Sequence, residues 1–236
     1  MRVRVYLPEA QIGKEIAITE EQVRHLKVLR LKEGEKIGIF DGKGHEYEGV
    51  YSAKVREGKI VPETEAKPQE EPKTNITLAT AVPKGARMDV LVEKVSEIGV
   101  TNIVPIISKR SIVEPRENKV ERWRKIAIEA SCQSGRSIVP TISEPVKFKE
   151  LLHTIKQYNK AILCHKTGKP LTETYEQCDN IIIIVGPEGD FTPEEIEQAK
   201  TAGCIAASLG PTILRTETAG ITAAAQVIAL SQKVYK

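Results

Sequence analysis

Residues Ile181–Phe191 read IIIIVGPEGDF and residues Ile205–Ala219 read IAASLGPTILRTETA, and these two stretches decide the fold. Each opens as a short apolar run, halts at a Gly-Pro pair and continues through polar residues toward a helix-like segment. Buried parallel strands that end in ligand-holding loops have this pattern. In such sheets the site lies beyond the carboxyl ends of the strands. After Asp190, the run Thr192, Pro193, Glu194, Glu195 predicts a helix start, with a capping hydroxyl, a proline in the first turn and acids at the positive end of the helix dipole. The second stretch carries Arg215 and leads into an alanine-rich helix from about Glu217 to Val234. One arginine between two glycine-bearing turns predicts a small-ligand pocket with a positive charge aimed into it.

Working outward, the chain from about Thr74 alternates strand-like and helix-like segments: Ile76–Val82, Arg87–Ile98, Ile103–Ile107, Val120–Cys132, Phe148–Tyr158 and Ala161–Cys164, then the two stretches above. This alternation predicts an α/β domain with a mostly parallel sheet. Met1 to about Pro62 differs, with short alternating runs at 2–6, 36–40, 47–51 and 59–61 separated by glycine turns, which predicts a small, barrel-like β domain. One helix interrupts it: Thr19 and Gln22 form a capping box, and Val23, Leu26 and Leu29 are expected to face inward. Its outer face presents Arg24, His25, Lys27 and Arg30. Residues Pro62–Lys73, with three prolines, four glutamates and almost nothing apolar, read as a linker. The expected domains are therefore 1–70 and 74–236.

Composition narrows the function classes. At 236 residues, 40% hydrophobic and 28% charged, the chain can bury a substantial core. Aromatics at 4% argue against broad base-stacking platforms, and a net charge of +3 is too small to argue nucleic-acid binding alone. The local distribution says more: Ser108–Arg136 holds eight Lys or Arg against four Glu. Within it, a helix from about Asn118 to Ser134 puts Lys119, Arg122 and Arg124 or Lys125 near one another, with Trp123 on the buried side. The four cysteines, Cys132, Cys164, Cys178 and Cys204, lack the short spacing of a zinc site and read as buried thiols. No metal site is expected. The N-terminal residues lack a signal-peptide core and no run reaches membrane-spanning length, so a cytosolic protein is expected.

Gly186-Pro187-Glu188-Gly189 and Leu209-Gly210-Pro211, with Ile213-Leu214-Arg215-Thr216-Glu217-Thr218-Ala219, resemble the signature loops of the bacterial 16S ribosomal RNA uridine N3-methyltransferases. The likeness extends to Lys94–Val100 (KVSEIGV), to Cys132–Arg136 (CQSGR) and to His25–Arg30 (HLKVLR). It implies a SPOUT-class, trefoil-knotted methyltransferase domain preceded by a PUA-like RNA-binding domain. It further implies S-adenosyl-L-methionine as cofactor, 16S rRNA of the small subunit as substrate, and a homodimer with each site near the subunit boundary. Three positions depart from the pattern. Cys132 replaces a usual Glu, Asp190 stands where a second glycine is common, and Thr212 where an arginine often sits.

Methyl transfer to a uridine nitrogen is an in-line displacement that needs donor and acceptor held close and aligned. The resemblance assigns the cofactor to Leu163, His165, Val185, Gly186, Pro187, Glu188, Gly189, Leu209, Gly210, Ile213, Leu214, Arg215, Thr216, Thr218 and Ala219. Arg215 is the candidate to stabilise charge on the acceptor, and Glu188 the candidate to take the imide proton or to bind a ribose hydroxyl. Glu217 is expected to anchor the last helix or pair with Arg215. His165, on a loop after Ala161–Cys164, is a lesser candidate for a base. Arg24, His25, Lys27, Arg30, Lys84, Arg87, Arg110 and Arg136 are the candidate RNA contacts. Two other readings stay open: a small-molecule enzyme on a doubly wound sheet, and an RNA-binding assembly factor without catalysis. A methyltransferase for another RNA also fits the pattern.

Overall fold

The structure, a computed structural model, describes residues 3–54, 57–115 and 117–232. The chain folds into two compact units, Met1–Glu71 with Ser131–Val139, and Pro72–Ala130 with Pro140–Lys236.

The first unit contains β1 (Arg4–Tyr6), β2 (Ile16–Ile18), α1 (Glu20–Val28), β3 (Lys36–Phe40), β4 (Glu46–Lys54) and β5 (Glu57–Ala66). They form a curled five-stranded sheet in the order β1-β3-β4-β5-β2, antiparallel except for the β1–β3 pair. Val5, Leu7, Val23, Leu26, Ile37, Ile39, Tyr51 and Ile60 make its core. The predicted capping box is present, with Thr19 accepting from Gln22 N–H. The helix stops earlier than expected. Arg30 adopts φ 60 and turns the chain, so Leu29 is 45% exposed and Leu31 packs on the core instead. Arg24, His25, Lys27 and Arg30 are exposed, as their spacing predicted.

The linker expectation is corrected in its first half. Pro62–Ala66 continue β5, paired with Glu46–Gly49 of β4. Glu63 and Glu65 are exposed, so their polarity costs the strand nothing. The second half is not free chain either, because Glu71 is fixed by the 131–139 segment. Its carboxylate pairs with Arg136 at 2.8 Å and accepts N–H groups from Ser137 and Ile138. Arg4 completes this network, pairing with Glu46, donating to the Arg136 carbonyl and lying 4.7 Å over the Phe40 ring. Ser137 donates to the same Glu46 oxygen.

The second unit holds β6 (Asn75–Ala81), α2 (Arg87–Ile98), β7 (Asn102–Ile107), most of α3 (Glu117–Ser134), β8 (Thr141–Ile142), β9 (Val146–Lys147) and α4 (Phe148–His153). Next come β10 (Lys160–Pro170), α5 (Leu171–Thr174), β11 (Asn180–Val185), α6 (Pro193–Ala202), β12 (Ile205–Ser208) and α7 (Thr216–Gln232). The end expected for α7 at Val234 lies outside the described residues. The sheet runs β12-β10-β11-β6-β7-β8, with β9 also on β7, and every pairing is parallel. Ile181–Val185 are all buried because both faces are covered. Ala79, Ile106, Leu163, Ile182 and Ile184 share one core with Phe148, Leu151 and Phe191. On the other face Gly220 of α7 lies so close to α2 and the sheet that a Cβ there would meet Leu91 at 2.8 Å and Leu78 at 3.4 Å.

Two details matter for the site. β10 is longer than predicted: its register against β12 shifts between Cys164 and Lys169, and His165 lies in that irregular stretch rather than on a loop beyond the strand. Gly168 is required there, because a Cβ would sit 2.5 Å from the Ala206 backbone. Second, the chain leaves edge strand β12 and returns as α7 to pack over β11 and β6 at the centre of the sheet. This return brings the start of α7 to the loop after β11, where Thr216 meets the Gly186 carbonyl.

Trp123 is buried, with its indole N–H donating to Asp89 at 3.1 Å, so it is a core residue and no stacking platform. Arg122 pairs with the same Asp89, and Arg124 with Glu121 and Glu144, which neutralises much of the basic excess on α3. All four cysteines are free thiols, but only Cys204 is fully buried; the other three are half-buried. Among the described residues no helix is long and apolar enough to cross a membrane.

Candidate active site

Four loops meet the carboxyl edge of the parallel sheet: 82–86 after β6, 108–112 after β7, 186–192 after β11 and 209–215 after β12. The middle of this set is the turn Gly186–Asp190. Asp190 N–H donates to the Pro187 carbonyl at 2.9 Å, and Asp190 Oδ1 accepts from Phe191 N–H at 2.8 Å. The turn then enters α6, whose start matches the sequence reading in full: Thr192 and Glu195 form a capping box and Pro193 occupies the first turn.

Neighbouring loops are fastened to this turn. The Arg110 guanidinium donates to the Gly189 carbonyl at 2.8 Å, and Lys109 N–H to Glu195 Oε1 at 2.8 Å. From the other signature stretch, the buried Thr216 hydroxyl donates to the Gly186 carbonyl at 3.1 Å. Gln226 of α7 donates to the Leu209 carbonyl at 3.1 Å. The two stretches that the sequence singled out are therefore joined through the first residue of α7.

Charged side chains converge here. Arg87, at the first position of α2, lies 3.8 Å from Glu188 and 3.7 Å from Glu217. A cation at a helix N-terminus opposes the helix dipole, and these two carboxylates offset it. Lys84 N–H approaches Glu188 Oε1 at 3.5 Å. Of the two roles expected for Glu217, pairing with Arg215 is not seen; it lies in the first turn of α7 and its partner is Arg87. The other oxygen, Glu217 Oε2, is buried and has no hydrogen-bond partner among the described residues. Arg215 is exposed, and its guanidinium has no partner among the described residues.

The remaining assigned residues divide by depth. Leu209 and Leu214 are half-buried, and Ile213, two residues before Arg215, is 87% exposed. Gly189, Gly210 and Thr218 are exposed, while Gly186 and Ala219 are half-buried. Leu163, Val185 and Pro187 are fully buried. Leu163 packs against the α4 and α6 core, so its side chain supports the site from beneath and forms no exposed wall.

Arg136 corrects the set of RNA contacts. Its side chain is 7% exposed and paired with the 17% exposed Glu71, so it braces the first unit and presents no charge to a phosphate. Lys84, Arg87 and Arg110 remain beside the turn.

His165 is poorly suited to act as a base. Thr167 N–H donates to its Nδ1 at 3.3 Å, and the Thr167 hydroxyl lies 2.7 Å from the same nitrogen. Nδ1 is therefore the acceptor, and Nε2, 3.3 Å from Asp190 Oδ2, carries the hydrogen. His165 and Asp190 line a groove of about 370 Å³ with Arg110, Phe191, Pro193 and Ile196.

Sequence reasoning missed the His165–Asp190 contact, the use of Glu195 to hold Lys109, and the buried, unsatisfied oxygen of Glu217. The sequence placed Glu195 in the first turn of α6, but nothing in the chain order signalled its contact with Lys109.

Would these residues fit S-adenosylmethionine? That molecule carries N–H and O–H donors and a positive charge. A carboxylate with a buried, unsatisfied oxygen, on the same stretch as a glycine turn and the exposed Ile213, suits such a ligand.

Comparison with known proteins gives a consistent answer. Residues 69–228 match the RNA methyltransferase domain family, and residues 18–58 the RNA methyltransferase PUA domain family. The Synechocystis ribosomal RNA small subunit methyltransferase E is 33% identical over 96% of this chain and 77% of its own length. The Aquifex aeolicus protein of the same name is 32% identical over 93% and 96%. The crystal structure of a Neisseria gonorrhoeae ribosomal RNA small subunit methyltransferase E bound to S-adenosyl methionine superposes with a TM-score of 0.89 at 35% identity, covering 99% of this chain and 98% of the other.

Proposed function

The chain belongs to the RNA methyltransferase family whose members include the ribosomal RNA small subunit methyltransferases E, and from that premise we propose how its own residues carry out the reaction. It is an S-adenosylmethionine-dependent methyltransferase of small-subunit ribosomal RNA, and the acceptor we propose is N3 of a uridine. S-adenosylmethionine, when bound, supplies a methyl group on a sulfonium.

The turn Gly186–Asp190 and the stretch Leu209–Ala219 hold that donor. Leu209, Ile213 and Leu214 cover its apolar surface, and Glu217 Oε2 accepts one of its hydrogens. The uracil imide attacks only as it loses its proton, and charge then builds on the flanking carbonyls. The unpaired Arg215 guanidinium stabilises that charge and orients the base. Glu188 accepts the proton, held by Arg87, which lies between the two carboxylates. Lys84, Arg87 and Arg110 guide the backbone of the RNA toward the turn. The β-rich unit is an RNA-binding module that uses Arg24, His25, Lys27 and Arg30 for phosphate contacts that set register without reading sequence. The enzyme acts in the cytoplasm as a homodimer, with the exposed Ile213 and Val90 near the subunit boundary.

One observation carries this reading: the Thr216–Gly186 hydrogen bond, which makes a single site of two loops and leaves Arg215 beside it with no partner of its own. The test is to incubate the protein with labelled S-adenosylmethionine and small subunits lacking the modification, and then to map the labelled nucleotide by mass spectrometry. Label is expected at one uridine, on N3. Label on another base, or none with competent subunits, overturns the assignment.

A further inference from the structure

Asp190 is held in the left-handed region at φ 59, where glycine is favoured and a side chain adds strain. A strained residue persists only where its surroundings over-determine it, and here both carboxylate oxygens are engaged. Oδ1 accepts the Phe191 N–H and closes the turn, and Oδ2 lies against His165 Nε2 at 3.3 Å. His165 is itself constrained, with its side chain 9% exposed and Nδ1 engaged by the Thr167 N–H and hydroxyl.

Resting on the methyltransferase reading above, we propose that Asp190 is a positioning residue for the methyl donor. Through His165 it ties the irregular stretch of β10 to the Gly186–Asp190 turn, its carboxylate facing the Nε2–H that Thr167 fixes on the imidazole. The two elements it joins both border the donor. His165 lies one residue beyond Cys164, in the register shift of β10 against β12, so the local ladder does not fix its place. Gly186, Pro187 and Gly189 present their backbone groups from the other side. A glycine at 190 would relieve the strain but would lose both carboxylate contacts, which separates this role from a purely conformational one.

The experiment uses the full chain and three variants: Asp190→Gly, Asp190→Asn and His165→Gln. Nitrogen-15 NMR of the imidazoles, assigned with His165→Gln, is expected to show His165 with a pyridine-like Nδ1 and a protonated Nε2. In Asp190→Gly the Nε2 resonance is expected to shift as it loses its carboxylate neighbour, while Nδ1, still engaged by Thr167, stays pyridine-like. Calorimetry with S-adenosylmethionine is expected to show about tenfold weaker binding for Asp190→Gly, with a smaller loss for Asp190→Asn, which keeps an oxygen acceptor and tolerates the backbone angle. In turnover assays the loss is expected in KM for the donor, with kcat within about twofold, the pattern of uniform binding. An Nδ1–H imidazole in the unmodified protein overturns the proposal, as does an Asp190→Gly variant that binds the donor as tightly as the parent. No affinity for the donor in the parent protein overturns the methyltransferase reading instead, and the imidazole spectrum still judges the pair.

Discussion

Arg136 and Arg215 each follow a glycine-bearing turn in a short polar motif, and they end in opposite circumstances. Arg136 lies in a closed network with Glu71, into which Arg4, Glu46 and Ser137 are also tied. Arg215 stands exposed, beside an unsatisfied Glu217 oxygen and the exposed Ile213. A buried ion pair fixes a segment in place and keeps its cation away from a ligand at the surface. An arginine without a partner at the end of a parallel sheet is a group that the fold itself does not use. The comparison teaches that the basic residues of this chain divide by whether their partner is already present.

The sharpest way to break the contrast is to truncate each arginine in turn. Arg136→Ala leaves the Glu71 carboxylate partly buried without its cation, and urea unfolding should show a loss of about 3–5 kcal/mol. Arg215→Ala should leave the unfolding midpoint unchanged and lower methyl transfer by about a hundredfold or more, the range for removing a donor aimed at developing negative charge. If the two variants exchanged these phenotypes, the division would be wrong.

Smaller effects sharpen the same contrast. Glu217→Gln removes the charge at the unsatisfied oxygen, and calorimetry should show about tenfold weaker binding of S-adenosylmethionine, comparable to losing one hydrogen bond to a charged group. Arg24→Glu with Lys27→Glu should reduce the slope of log affinity for RNA against log salt by about 1–2, read by filter binding, because exposed phosphate contacts act by counterion release. The least effect concerns Cys204, whose burial pushes its thiol from 9.0 up to about 11. Above pH 9 the unfolded thiol ionises while the folded one keeps its proton, so this contribution to stability is complete below that pH and is lost as pH rises toward about 11. Denaturation across this range should show a flatter decline in Cys204→Ala.

Much of the architecture was legible. The apolar run before Gly186 and the alternation after Thr74 identified a parallel sheet, and helix α2 has the bounds its pattern suggested, Arg87–Ile98. The capping box of α1 and the Thr192 cap of α6 were readable because a cap is made by residues close together in the chain. Misreadings fell where distant partners decide. The glutamates of β5 suggested a linker, yet the strand is held by backbone bonds to β4 that composition does not encode. Leu29 kept the helical spacing, but the turn at Arg30 ended the helix before that spacing applied. Arg136 read as an RNA contact until Glu71, 65 residues earlier in the chain, proved to hold it.

The sequence by itself determined the parallel sheet, its capped helices and the two glycine turns, because these depend on local propensity, capping and periodicity. Tertiary structure alone decided which charges are paired and which are left over. Pairing Arg87 with Glu188 and Glu217, Asp190 with His165, and Thr216 with Gly186 requires groups from different loops to come within about 4 Å. Electrostatic and hydrogen-bond energies fall off over that distance, so the division between structural and functional residues is set by positions in space that the order of the chain does not record.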